Sequence, residues 1–238
     1  MNAPSSLHDR VILVTGGTGR LGTAVTKTLL DRGARVIVTY TQEKEWDRLQ
    51  SLVSTEVQSQ LSGRLVDVTN EAAVNAVVAD CIRDYHRIDG VASLVGGWQS
   101  KSFVELTLED WQRQFDLNLT STFLVMKAVV PTMITSGYGR LVAVGAQSAI
   151  QAAAGQAHYN SSKVGVMWLM ETISHEVAAY GITANTILPS AIKTAEEHAA
   201  DPHGVWVSPE LVAELVAYLL SPESGATSGA KIPVYGQK

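Results

Sequence analysis

The chain has 238 residues, 46% hydrophobic and 17% charged with 19 glycines, a balance that describes a globular protein and excludes a disordered tail or a repeat fibre. A formal charge of −5 without any basic run excludes a phosphate-backbone footprint, and with it nucleic-acid binding as the main task. Cys81 is the only cysteine, which excludes an internal disulfide or a cysteine zinc site and leaves a small buried hydrophobe.

Short β-branched runs alternate with helical patterns from end to end. Residues 11–15 read as a strand that enters a glycine cluster and then a helix over 21–31. Further strands are expected at 35–40, 65–68, 91–95, 141–145, 183–188 and 231–234. Apolar strands with helices in most of the connections predict one α/β domain over 1–238, a doubly wound seven-stranded parallel sheet with helices on both faces. Thr107 with Asp110 before Trp111 suggests a capping box at the start of a long helix. Residues 152–157 read as a loop leading into another helix. Near the carboxy terminus Ser208 caps, Pro209 takes the first helical position, and Leu211, Val212, Leu215, Val216, Leu219 and Leu220 form one stripe before Ser221-Pro222 stops it. Trp46, Trp111 and Trp168 fall in amphipathic stretches and read as packing or interface residues.

The first strand ends in Thr15-Gly16-Gly17-Thr18-Gly19-Arg20-Leu21-Gly22. Glycines where a strand turns into a helix bring backbone amides and the positive end of the helix dipole to one point, a geometry that suits a pyrophosphate. An ordinary tight turn shares the composition, but the position directly after the first strand is the context a dinucleotide loop requires.

This segment resembles the Thr-Gly-x-x-x-Gly-x-Gly loop of the short-chain dehydrogenase/reductase family. Gly16 and Gly22 match the outer glycines, whereas Arg20 stands at the middle one and Gly19 sits one place early. The resemblance implies a Rossmann fold that binds NAD(P)(H), with Gly16, Thr18, Gly19, Arg20, Leu21 and Gly22 at the cofactor. Arg20 reads equally as a cofactor-phosphate ligand and as a solvent-exposed helix-start arginine. The second strand ends Val38-Thr39-Tyr40-Thr41 with no acid before Glu43, which falls in the following helix. An acid there would hold the ribose of NAD, so NADP(H) is favoured, NAD(H) stays open, and Tyr40 and Thr41 lie nearest the distinguishing phosphate. Asp67-Val68 is similar to the family's adenine-contacting pair or is a plain strand-end turn, and Gly96, Pro189, Ile192 and Thr194 complete the expected cofactor contacts.

Tyr159 and Lys163 lie four apart at the start of a helix running to about Tyr180, on one face. An ammonium beside a phenol lowers the tyrosine from its ordinary pKa of about 10, making it an acid/base near neutrality. Such pairs are commonly structural, but the resemblance implies Tyr159 as general acid/base, Lys163 as ribose ligand lowering its pKa, and Asn118 as the helix asparagine that supports the lysine through water. Residues 189–194 and 229–234 resemble the segment after the family's sixth strand and its last strand.

Two departures stand out. Ser93-Leu94-Val95-Gly96 replaces the usual Asn-Asn-Ala-Gly, and Ala146 occupies the position of the substrate-polarising serine, thirteen residues before Tyr159. Loss of one such donor costs roughly 10² to 10³ in turnover. Ser148, two residues on, is the nearby replacement, or a plain loop serine. With Gly96-Gly97-Trp98 and residues 144–147, the Ser-less site is similar to the dihydropteridine reductase branch, although that branch carries an acid after the second strand and prefers NADH. Trp98, Gln147 and His158 join Ala146 and Ser148 as substrate-side candidates.

The expected activity is therefore hydride transfer to or from a small carbonyl-like or electron-poor substrate. Dihydropteridine-reductase-like activity and a catalytically impaired cofactor-binding regulatory or scaffold protein are the alternatives. The resemblance implies a homo-tetramer or homo-dimer built through helices around 107–135 and 158–180. A short lid is expected at 195–208; its His198 and His203 lack a third ligand at metal spacing, so no metal site is expected. Lys127 and Glu214 interrupt the apolar stretches and residues 1–10 lack a leader pattern, so neither membrane span nor secretion is expected, and the reading is cytoplasmic.

Overall fold

Every residue of β1 (Val11–Thr15) is buried, as a strand covered on both faces must be. The computed structural model describes residues 7–192 and 206–236. It places β1 inside a seven-stranded sheet with β2 (Arg35–Tyr40), β3 (Leu61–Leu65), β4 (Gly90–Ser93), β5 (Gly139–Val144), β6 (Ile182–Pro189) and β7 (Lys231–Val234). The order is β3-β2-β1-β4-β5-β6-β7, and every pairing is parallel. The chain runs from β1 outward to β2 and β3, then returns to pair β4 on β1's other side. That reversal opens a crevice beyond the carboxyl ends of β1 and β4, where ligands bind in open α/β sheets.

The third strand differs from expectation. It spans Leu61–Leu65 rather than residues 65–68, because Val36 to Tyr40 pair with Leu61 to Leu65 and the ladder ends with β2. Gly63, which reads as a strand breaker, seats the Trp46 indole; a Cβ there would lie 2.7 Å from the ring.

One face of the sheet is covered by α1 (Arg20–Asp31) and α7 (Pro209–Leu220), through Val25, Leu29, Val212 and Val216. The other is covered by α3 (Glu71–Tyr85), α5 (Ser121–Ser136) and α6 (Ala157–Val177), through Val77, Val125, Val129, Val166 and Met170, with Cys81 fully buried among them. Ser208 Oγ accepts from the Leu211 amide at 3.2 Å. The stripe on α7 is shifted by one position, since Leu211 faces solvent and Ala213 and Ala217 are buried. The Thr107 box forms with both of its bonds and starts α4 (Leu108–Phe115). A single π-helical turn, Asp116–Thr120, joins α4 to α5.

Together these form one helix, Leu108–Ser136, whose 29 residues are long and apolar enough by composition to cross a membrane, contrary to expectation. Lys127 is the one charge in α5, and a single charge leaves the other faces of a helix uninterrupted. Here Val125, Val129 and Met133 pack into the core against the sheet. Of the tryptophans, Trp46 stacks on Tyr40 and Trp111 on Phe115, with ring centroids 5.3 and 4.6 Å apart. Trp168 is exposed, with the Lys231 ammonium 4.5 Å above its ring.

Candidate active site

The glycine loop is built so that side chains are excluded. Gly16 has φ of +68°, and a Cβ on Gly22 would lie 2.1 Å from the Gly16 carbonyl oxygen, so the first turn of α1 rests directly on the loop. Gly19 caps α1 with no side-chain hydrogen bond, and no acid stands in the first turn. The leading amides of α1 thus meet no capping side chain and open on the cleft at the β1/β4 switch point, which suits an anionic pyrophosphate. The cleft has a volume of about 760 Å³; Gly16, Gly19, Arg20, Leu21 and Gly22 form one wall, and Gly96, Ala146, Tyr159 and Lys163 another. The size suits a small-molecule site.

Tyr159 and Lys163 occupy the first turns of α6 and face this cleft. Lys163 Nζ donates to the Val144 carbonyl oxygen at 2.8 Å, and burial pushes its ammonium down to about 8. Burial pushes the Tyr159 phenol up to about 12. The expected lowering of Tyr159 by Lys163 is not found; loss of water dominates both groups, and the ammonium is directed at Val144. Tyr159 is accordingly a phenol at neutral pH, able to donate a proton.

Asn118 sits in the π turn and is fully buried. Its Oδ1 accepts from the Gly97 amide at 2.9 Å, and its Nδ2 donates to Ser162 Oγ at 2.9 Å and to the Gly97 carbonyl at 3.2 Å. Ser162 in turn donates to the Tyr159 carbonyl at 2.7 Å. Gly96 is wedged beside both groups, since a Cβ there would lie 2.7 Å from Asn118 Oδ1 and 3.1 Å from Lys163 Nζ. The π turn therefore ties the strand end after β4 to the start of α6. Sequence reasoning missed Ser162 and also Gln114, which donates to the Gly97 carbonyl. Ser162 lies inside the Tyr-Asn-Ser-Ser-Lys string and was open to discovery; nothing local marks Gln114.

Ala146 lines the cleft, so a methyl stands where a donor was sought, and Ser148 lines it too from a short 3₁₀ turn at Gln147–Ala149. Trp98, Gln147, Pro189, Ser190 and Ile192 also line it, joined by Gln156 and Trp206, which no sequence motif marks. His158 does not. One residue before Tyr159, it lies about 100° around the helix, is fully buried, and has neither ring nitrogen hydrogen-bonded. Burial lowers its pKa, and Asp110, Arg113 and Lys101 supply the nearby charges. Lys101 and Arg113 pair with Asp110 at 2.5 and 2.8 Å, and the Lys101 hydrogen bond foremost holds that carboxyl well below the usual carboxylate range.

The remaining cofactor candidates lie apart. Tyr40 donates to Glu43 at 3.1 Å while stacking on Trp46, and Thr41 is exposed; neither lines the cleft. Asp67 closes a turn by accepting from the Thr69 amide and hydroxyl at 2.9 and 2.7 Å, and Val68 enters the core. Thr18 lines a second cleft of about 400 Å³ with Gly19, Arg20, Lys44, Glu45 and Arg48. There its hydroxyl donates to Glu45 at 3.2 Å and its carbonyl accepts from Arg48 at 2.6 Å. Thr194, His198, His203 and most of the expected lid lie outside the described residues. Among the described residues no cluster of His, Cys, Asp and Glu is placed to hold a metal ion.

The family model described as short chain dehydrogenase matches residues 10–203. A 3-oxoacyl-(acyl-carrier-protein) reductase FabG of Vibrio cholerae is 30% identical over 242 residues, covering 97% of this chain and 98% of the relative. An uncharacterized NAD-dependent oxidoreductase of Mycobacterium tuberculosis is 29% identical, covering 96% and 95%. The crystal structure of levodione reductase superposes with a TM-score of 0.89 at 25% identity, over 97% of both chains. With the glycine loop and the Tyr159–Lys163 pair on one cleft, these likenesses establish that the chain belongs to the short chain dehydrogenase family and is an NAD(P)-dependent oxidoreductase.

Proposed function

We propose that the protein reduces a small, electron-poor carbonyl-type substrate with NADPH, Tyr159 giving the proton. The observation that carries this reading is a buried phenol, pushed up to about 12, on the cleft that the uncapped start of α1 also faces. A bound reduced nicotinamide supplies hydride. Tyr159 holds its proton until negative charge develops on the substrate oxygen, then transfers it. Lys163, anchored on Val144, holds a position on the cleft wall where it can meet the cofactor ribose, and Asn118 fixes the loop and helix that carry the pair. NADP over NAD is supported by the cationic second cleft, where Arg20, Lys44 and Arg48 gather next to the loop. A cytoplasmic setting and a homo-oligomer, both expected from sequence, go with this reading.

The methyl of Ala146 favours a second reading within the same class, dihydropteridine-reductase-like activity, because an acceptor that is already electron-poor needs less polarisation. Anaerobic stopped-flow oxidation of NADPH and NADH against ketones, quinones and quinonoid dihydropterin tests both. NADPH consumption that disappears in Tyr159→Phe is expected. Cofactor binding by calorimetry with no acceptor consumed would instead mean an impaired, cofactor-binding scaffold.

A further inference from the structure

Beside the glycine loop, the strand ends and the Tyr159–Lys163 pair, Trp98, Gln147, Ser148, Gln156 and Trp206 line the cleft wall. Three features of that wall bear on the substrate, given the reductase reading above. The first is aromatic. Trp98 leaves 63% of its surface in water although it stands on a cavity, and Trp206 reaches the same cavity from the far side of the sequence. An indole exposed on a concave site, as Trp98 is, supplies flat, apolar area to a ligand, and stacking rewards a ring over a flexible chain.

The second feature is charge. Among the described residues only two ionic side chains line the cleft, Arg20 on the glycine loop and Lys163 on the Val144 carbonyl. Nothing described on the Trp98–Gln156 side balances a carboxylate, a phosphate or an ammonium, and an unbalanced charge is costly to desolvate. The third is a vacancy of hydrogen bonding. Ala146, on the cleft wall, gives no donor to polarise a carbonyl.

We infer that this cleft takes an uncharged, planar ring bearing a conjugated carbonyl, stacked against Trp98 and Trp206. Conjugation supplies the polarisation that residue 146 does not. In the reaction, hydride from the reduced nicotinamide dinucleotide adds two electrons to the carbonyl carbon as the C=O π pair moves to oxygen. Tyr159 protonates that oxygen to give the alcohol, and the phenolate regains a proton from solvent.

The test is calorimetric titration of the full chain, saturated with NADP⁺ so that no turnover occurs, with three probes. Isatin is flat, neutral and carries a lactam N–H beside a conjugated ketone; isatin-5-sulfonate adds a charge; the acetoacetyl thioester of N-acetylcysteamine is acyclic. Isatin is expected to bind at least about tenfold tighter than either of the others, and Trp98→Leu or Trp206→Leu to weaken isatin by about tenfold while leaving the thioester unchanged. Equal binding of the three probes, or indole variants that bind isatin as the unmodified chain does, overturns the inference. Turnover separates it from the underlying reading. NADPH consumed with the thioester and no isatin preference overturns only the ring class, whereas tight isatin binding without NADPH oxidation by any acceptor overturns the reductase assignment and leaves the ligand class standing.

Discussion

Lys163 Nζ lies 2.8 Å from the carbonyl oxygen of Val144, so the ammonium four residues after Tyr159 is anchored to the end of β5 rather than to the phenol. Burial favours the neutral amine in the fold, holding its pKa near 8 against 10.5 for the free side chain. Between those values the unfolded chain binds more protons, so this group makes stability rise with pH. Lys163→Met removes that contribution. Urea unfolding at steps from pH 8 to 10.5 should show the unmodified, cofactor-free protein gaining stability relative to the variant across the window. A parallel pair of curves contradicts the burial argument.

Asn118→Ala removes a fully buried side chain, taking the acceptor from the Gly97 amide and one of two partners from the Ser162 hydroxyl. A buried group so stranded costs about 1–3 kcal/mol. Urea denaturation should register that loss, and kcat should fall more than KM rises, because the asparagine positions the segment carrying Tyr159 rather than binding substrate.

Gly22→Ala drives a methyl to 2.1 Å from the Gly16 carbonyl oxygen, with backbone on both sides of the contact. The loop must move away from α1, at a cost of roughly 1–3 kcal/mol typical of overpacking. The dinucleotide Kd, read by calorimetry, should rise by at least about tenfold.

Lys44→Ala and Arg20→Ala each remove a cation from the cleft beside the loop. A phosphate contact of this kind is worth about 1.5–3 kcal/mol, roughly ten- to a hundredfold in Kd for NADPH, with NADH little changed. Equal losses for the two cofactors would place the phosphate elsewhere.

Ala146→Ser returns a hydroxyl to the cleft wall. For saturated ketones, which need polarisation, kcat should rise by about ten- to a hundredfold, a part of the roughly 10² to 10³ a single donor contributes. For isatin, already polarised, the gain should be several times smaller.

Features written in local spacing were legible in the chain. The run from Val11 to Asp31, the Thr107 box and the Ser208–Pro209 helix start all emerge where the residues said they would. So does the one-turn separation of Tyr159 from Lys163. Strand alternation, caps and the 3.6-residue period are properties of neighbours in sequence, and no distant contact is needed to express them. The third strand was not legible, because its limits follow from pairing with β2 and from an indole 17 residues away resting on Gly63.

The site divides in the same way. Residue identity and spacing by themselves determined a glycine cluster between the first strand and its helix, and a tyrosine and a lysine one turn apart on one helix face; the cofactor, the acid/base role and the missing hydroxyl at residue 146 are what the family resemblance adds. Only the tertiary structure decided that His158 turns into the protein, that Trp206 and Gln156 join the cleft, and that Asn118 reaches Ser162. It also decided the direction in which Tyr159 is shifted, up rather than down. Desolvation and long-range hydrogen bonds depend on what surrounds a group in space, and a linear pattern carries no record of that surrounding.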